Sequence, residues 1–469
     1  MKKCKIIFSI LILSSIFITQ NIFAGTGNYG TGNGRILGMA NTGNALFAGY
    51  YSSIKNPATL LSNTDTNFTV QFSLPNLQLG ASTALRLNNI SKYFDASNNV
   101  FLTENDKNII LDDFNSSGGG IGRISSDVNV NLFNIAINMG KDLGVLSFSI
   151  NDIASFKALI PKDLPDLALN GNEKNKEYSF NDLNANTYWY RTAELGYAYN
   201  LIDEENGIIK FLNVGAQFKY IMGNLYMNYS MQNSRLYTSG QNAIDIDIKA
   251  RQLISDPDGL GLSDKSDNNA DFSFNPQIGS GFGVSFGMVA ELDFGLVVGL
   301  SMTDIGSIKF NKNVEEKIIT KTIFNFNDIS SKEKLDELDS DFNDSTLSTS
   351  EFSMDLPTTM RVGLMAPLGD WLGMNSELNT YLDLDFGANN IGTNSNDIRF
   401  SLGIDYNMGG YMPRFMTGIS NDINGRFRWS TGIGYETSIF DIYLSTYDII
   451  SAIAPDTHFS VGLAMRWKI

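Results

Sequence analysis

The last twelve residues, HFSVGLAMRWKI, alternate without exception. Phe459, Val461, Leu463, Met465, Trp467 and Ile469 share one face, and His458, Ser460, Gly462, Ala464, Arg466 and Lys468 share the other. A period of two belongs to an extended strand, whose successive side chains point to opposite sides. DIRFSLGIDYNM at 397–408 obeys the same rule, with Ile398, Phe400, Leu402, Ile404, Tyr406 and Met408 set against Asp397, Arg399, Ser401, Gly403, Asp405 and Asn407. Leu212, Val214, Ala216, Phe218 and Tyr220 repeat it, as do Phe282 to Met288 and Phe294 to Met302. Such runs of about 10 to 12 residues match a tilted strand crossing ~25–30 Å of hydrocarbon, whereas globular strands usually stop at about five or six. A soluble sheet also alternates, but it fills its wet face with charge. Here the polar face is mostly Gly, Ser and Asn with isolated ions, as suits a crowded or solvated lumen.

Sixteen runs can be marked between 67 and 469, with 67–74 and 77–87, and 208–222 and 223–238, counted as separate strands. They predict an all-β fold: a transmembrane antiparallel β-barrel of about 14 strands (range 14–16). Polar stretches near 88–120, 155–185, 239–278 and 311–356 are expected to be long loops, the last with a short exposed helix at SSKEKLDELD, 330–339. Asn407-Met408-Gly409-Gly410 and Asn424-Gly425 are hairpin material.

The chain opens Met-Lys-Lys-Cys-Lys, continues with the apolar run Ile6 to Ile18 and reaches Phe23-Ala24. That order predicts a signal peptide over 1–24, cut after Ala24. Cys4 is the only cysteine and His458 the only histidine, so the expected mature chain carries no thiol, disulfide, Cys-ligated zinc or Cys nucleophile. Removing the leader takes three lysines and leaves a net charge of −19, which repels phosphate backbones and argues against nucleic acid as a partner.

Residues 25–66 break the strand pattern and are expected to form a compact segment ahead of the barrel, which occupies 67–469. Within it Pro57 fixes its own φ and pushes Asn56 toward the extended region, while Ala58 permits close approach of another surface. GRILGMANTGNALFAGYYSSIKNPATL, with LSMTDIGSIKF at 300–310, LPTTMRVGL at 356–364 and the closing THFSVGLAMRW, resembles the FadL-like outer-membrane proteins, which include long-chain fatty acid transporters and PorV-type barrels. The resemblance implies a fourteen-stranded barrel in the outer membrane whose N-terminal segment folds inside as a hatch. It carries Arg35, Gly38, Met39, Gly43, Asn56, Pro57 and Ala58 over as hatch or ligand-gating positions. Ala40 and Thr59 depart from the pattern, each standing where the family favours Gly.

Enzymatic chemistry finds little footing. His458 and Ser460 share a face but stand about 6.6 Å apart by strand rise, too far for a direct bond. Asp256, Asp258, Asp264, Asp267 and Asp271 lack the spacing of a calcium loop. GSGFGVSFG at 279–287 lies in a strand and precedes no helix, so its small residues are expected to relieve crowding rather than bind phosphate. The expectation is a non-enzymatic barrel without cofactor or metal, passing fatty-acid-like hydrophobic small molecules across the outer membrane by passive diffusion. The alternative is a PorV-like barrel that anchors or carries exported proteins, or a structural surface antigen. The partners implied are outer-membrane lipid with a hydrophobic small molecule or, on the alternative, an exported protein.

Overall fold

The computed structural model describes residues 33–61, 69–73, 76–86, 92, 101–115, 120–140, 142–204, 207–239, 244–267, 270, 273–326, 343–347, 349–410, 412–421, 426–453 and 457–469. The expected leader, the ends of the N-terminal segment at 25–32 and 62–66, the expected helix at 330–339 and the Asn424-Gly425 turn lie outside the described residues.

Fourteen antiparallel strands close into one barrel. In chain order they are β1 (Thr69–Ser73 and Asn76–Ser82), β2 (Ile121–Asn138), β3 (Val145–Pro161), β4 (Asn184–Asp203), β5 (Ile209–Met231), β6 (Gly279–Leu292), β7 (Val297–Phe310), β8 (Thr359–Pro367), β9 (Glu377–Gly387), β10 (Ile398–Asn407), β11 (Arg414–Asn421), β12 (Phe427–Glu436), β13 (Phe440–Thr446) and β14 (His458–Lys468). Each pairs with its successor. The ring closes where β14 meets β1, with Phe72 opposite Trp467 and Leu77 opposite Leu463. Closure leaves no strand edge in lipid, where each unpaired backbone group costs several kcal/mol.

Two pairs of expected strands are single strands. The runs at 67–74 and 77–87 are two halves of β1, and those at 208–222 and 223–238 merge into the 23-residue β5. Gly223 reads as a break in the sequence, yet its reason is packing: a β-carbon there would lie 2.8 Å from Phe310 Cε1. The polar stretches also hold regular structure. Helices Glu104–Asn115 and Asp163–Asn170 form in two of them. Strands Ile244–Ser255, Val314–Phe326 and Asn343–Leu347 continue the sheet past the rim from the end of β5, where Tyr226 pairs with Ser255.

The two faces of the wall are inverted relative to a water-soluble protein. Phe218, Phe282, Phe286, Trp429, Leu444 and Phe459 point outward, with Trp429 53% and Phe459 56% exposed. Arg361, Asp383, Asp385, Arg399, Asp405, Arg414, Asp441 and Arg466 point inward and are buried. An apolar exterior around a polar interior is the distribution of an outer-membrane-type barrel.

Candidate functional site

What buries the inward ions is the chain's own segment 33–61, nearly all of it inaccessible to solvent. Asn33 starts it by capping the short helix Gly34–Gly38, its side chain accepting from the backbone N–H groups of Arg35 and Ile36. Ala40 (φ +56°) and Asn41 (φ +61°) then turn the chain in the left-handed region, which favours glycine and gives a physical reason for the family's Gly where this chain has Ala40. A helical turn, Tyr50–Ser53, leads to Asn56, which caps the 3-10 turn Pro57–Leu60. The Asn56 side chain accepts from Ala58 N (3.1 Å) and donates to Asn44 O (2.8 Å) and to Met288 O of β6 (3.2 Å). Pro57 opens that turn at a position where no N–H is needed.

The wall receives this segment through missing side chains. A β-carbon at Gly215 in β5 would lie 2.4 Å from Pro57 C, at Gly287 in β6 1.9 Å from Asn56 Oδ1, and at Gly299 in β7 2.3 Å from Asn44 O. On the far wall, one at Gly403 would lie 2.8 Å from Met39 O, at Gly418 2.8 Å from Met39 C, and at Gly432 3.2 Å from Gly38 Cα. With contacts on strands all round the ring, residues 33–61 lie within it. Apolar packing adds Ile36, Met39, Leu46 and Tyr51 against Tyr381, Met416 and Tyr443 of the wall.

Arg35 and Lys55 are the only charged residues in the segment, and both are cations. Arg35 sits 3.0 Å from Asp405 and 3.5 Å from Glu436. Lys55 lies 3.3 Å from Asp385 and 3.9 Å from Asp383, and also donates to Asn41 O. Asp383 Oδ2 accepts from the backbone N–H groups of Gly43 (2.8 Å) and Asn44 (3.0 Å) as well. Burial pulls the Lys55 ammonium down from the ordinary lysine range, with Asp385 opposing it. Arg466 reaches from β14 to Ala48 O (2.8 Å) and stacks on Tyr51, 4.6 Å from the ring centroid.

The residues singled out in the sequence therefore fall in separate places. Asn56, Pro57 and Ala58 meet β5 and β6, Gly43 faces Asp383 on β9, and Arg35, Gly38 and Met39 meet β10 to β13. Lys55 and its acidic partners were not anticipated. Their signal is a pair of acids on the same face of an alternating strand, Asp383 and Asp385 in YLDLDFG. His458 is buried with its ring 5.5 Å from Tyr447, while Ser460 Oγ accepts from Tyr447 N (2.8 Å). In the acidic loop, Asp256 accepts from Leu262 N, Ser263 Oγ and Ser266 Oγ, closing the loop on itself.

Outside the wall, Phe286, Met288, Leu300, Met302, Met360 and Val362 line an apolar recess of about 530 Å³. Gly287, whose inner side abuts Asn56, is part of the same lining.

Comparison with curated proteins finds no match. Among solved structures, the fold is similar to the Pseudomonas putida toluene transporter TodX, with 10% identity over 95% of this chain and 99% of that one (TM-score 0.45). It is similar too to a Pseudomonas aeruginosa FadL homologue, at 12% identity over 93% and 97% (TM-score 0.42). A third is the translocator domain of the autotransporter NalP from Neisseria meningitidis, at 9% over 87% and 90% (TM-score 0.31). Residues 62–384, well over half of the chain and running from the start of the barrel to β9, match the family of unknown function DUF5723, and the chain belongs to that family.

Proposed function

We propose that this barrel passes hydrophobic small molecules, fatty-acid-like in chemistry, passively across the outer membrane, with residues 33–61 as its hatch. The observation that carries the reading is the position of Asn56, which holds the segment's corner against Gly287 while the other side of Gly287 lines the apolar recess. In this reading Asn56-Pro57-Ala58 is the rigid corner, Arg35 and Gly43 tie the hatch to the wall, and Gly38 and Met39 seat its first turn. Ligand affinity comes from apolar burial, at roughly 25 cal/mol per Å².

The test is uptake of a labelled fatty acid by vesicles carrying the purified barrel, with Asn56→Ala beside it. Uptake above empty vesicles is expected, and a higher basal rate in the variant, whose hatch has lost its corner. A well-folded parent that takes up nothing contradicts the reading. The sheet that continues past the rim favours a second reading, a platform that holds an exported protein; co-purification of such a protein with an uptake-silent barrel would favour that one.

A further inference from the structure

Residues 388–397 connect β9 to β10 at the end of the barrel that carries the long connections after β1, β3, β5 and β7. Gly392, Thr393 and Asn394 at the tip of this loop are buried, while Ala388, Asn390, Asn396 and Asp397 at its base are exposed. The tip meets the opposite side of the ring. Thr393 Oγ1 donates to Asp127 Oδ1 of β2 (2.8 Å), and Lys157 Nζ of β3 donates to Asn394 O (3.1 Å). Ile391 packs against the apolar cluster that includes Tyr188 and Tyr190 of β4. In a ring of fourteen strands β2 is seven from β9 in either direction, so the loop bridges opposite walls and does not fold back on its own hairpin. Gly392 makes the crossing possible: its φ is +56°, and a β-carbon there would lie 2.4 Å from Tyr188 Cε1. The crossing also lies below the rim, since Asp127 is six residues in from Ile121, the first residue of β2. Four residues further along the same face, Asn131 donates to Tyr50 Oη of the segment 33–61 (3.0 Å). At ~3.3 Å per residue the two contacts are about 13 Å apart along the wall.

We infer that residues 388–397 are a second closure of the lumen, a strap in series with residues 33–61, and that the passage opens only when both are displaced. The base of the strap is fastened to its own wall: Ala388 N and Asn394 Nδ2 donate to Thr358 O (both 2.9 Å), Asn389 Nδ2 to Leu356 O (2.6 Å) and Gly387 N to Ser395 O (3.0 Å). Against the opposite wall the tip has the bonds at Thr393 and Asn394 and the packing of Gly392 and Ile391, so movement of the strap is movement of its tip. Seven of its ten residues are Asn, Ser, Thr or Asp, and Ile391 is its one large apolar side chain. Water can therefore solvate the released tip at little cost, as a gate that opens toward the long-loop side requires. The inference rests on the reading of the barrel as a passage with 33–61 as its hatch.

The experiment is single-channel recording of the full-length protein in planar bilayers in KCl, with retained barrel mobility on unheated gels as the check on folding. Gly299→Val displaces the hatch, because its side chain collides with Asn44 O, and Gly392→Val displaces the strap from Tyr188. Either change alone is expected to give rare, brief openings, and the two together an open fraction at least tenfold higher. A gentler arm uses Cys4→Ser with Asp127→Cys and Thr393→Cys, joined by a short bis-methanethiosulfonate reagent that a reductant cleaves. The cross-link is expected to form, to silence the openings of Gly299→Val, and to release them on reduction. Continuous conduction by Gly299→Val that the cross-link leaves unchanged, or failure of the two thiols to cross-link in the folded barrel, overturns the inference and leaves the hatch reading standing. Continuous conduction by Gly392→Val alone, or a folded double variant that never conducts, overturns both.

Discussion

At the scale of single residues, the site depends on charges that are tolerable only because they are paired. Removing one partner of a buried pair costs ~3–5 kcal/mol, because the other is left uncompensated. Lys55→Met takes the cation from beside Asp383, while Asp385 keeps Arg399 and Arg361, so docking of the segment is expected to weaken by up to about that much. A buried reporter shows it: with Cys4 replaced by Ser, Ser52→Cys places one thiol at a fully buried position. Its maleimide labelling is expected to speed up on the order of 10²–10³-fold in Lys55→Met, since 1.4 kcal/mol is a factor of ten, and less in Lys55→Met/Asp383→Asn. Asn56→Ala removes a cap of ~1 kcal/mol and takes the side-chain donor from the buried Asn44 O at ~1–3 kcal/mol, so labelling should also rise there. Unchanged labelling in either variant would mean that these groups do not hold the segment. The Asn-Pro-Ala corner could be read from the sequence because its chemistry is local, a cap and a fixed φ. Lys55 could not, because Asp385 is 330 residues away and no local rule relates the two.

At the scale of elements, glycines on the inner face set where the segment can lie. The alternation of β10 and β14 showed Gly403 and Gly462 on the polar side of their strands, but not what they face. In the structure they leave room for Met39 and Gly34. Gly403→Val should therefore displace the N-terminal segment and expose Lys55 to trypsin, while the outward-facing Ser280→Val should not. Equal cleavage in the two variants would contradict this account of the glycines. Strand alternation predicts most of the barrel, yet it misplaces a break at Gly223, where the glycine serves packing against Phe310 and not a turn. It failed again at Ile244–Ser255, whose IDIDIKARQLIS alternates while carrying enough charge to read as a loop. That strand lies past the rim, where its polar side need not be small, so a rule tuned to lumen-facing strands passes over it.

At the scale of the whole molecule, an apolar exterior, a closed ring of hydrogen bonds and an ionic interior are one solution to folding in lipid. The inner face must then be covered, and residues 33–61 lie against it. Hydrogen exchange of the detergent-solubilised protein reads this directly. Amides from Ile36 to Leu60 are expected to be as slow as those in the middle of β9 to β12, because they are shut inside the same wall. Complete exchange of that segment at the earliest times, beside protected strands, would place it in water outside the barrel and contradict the account.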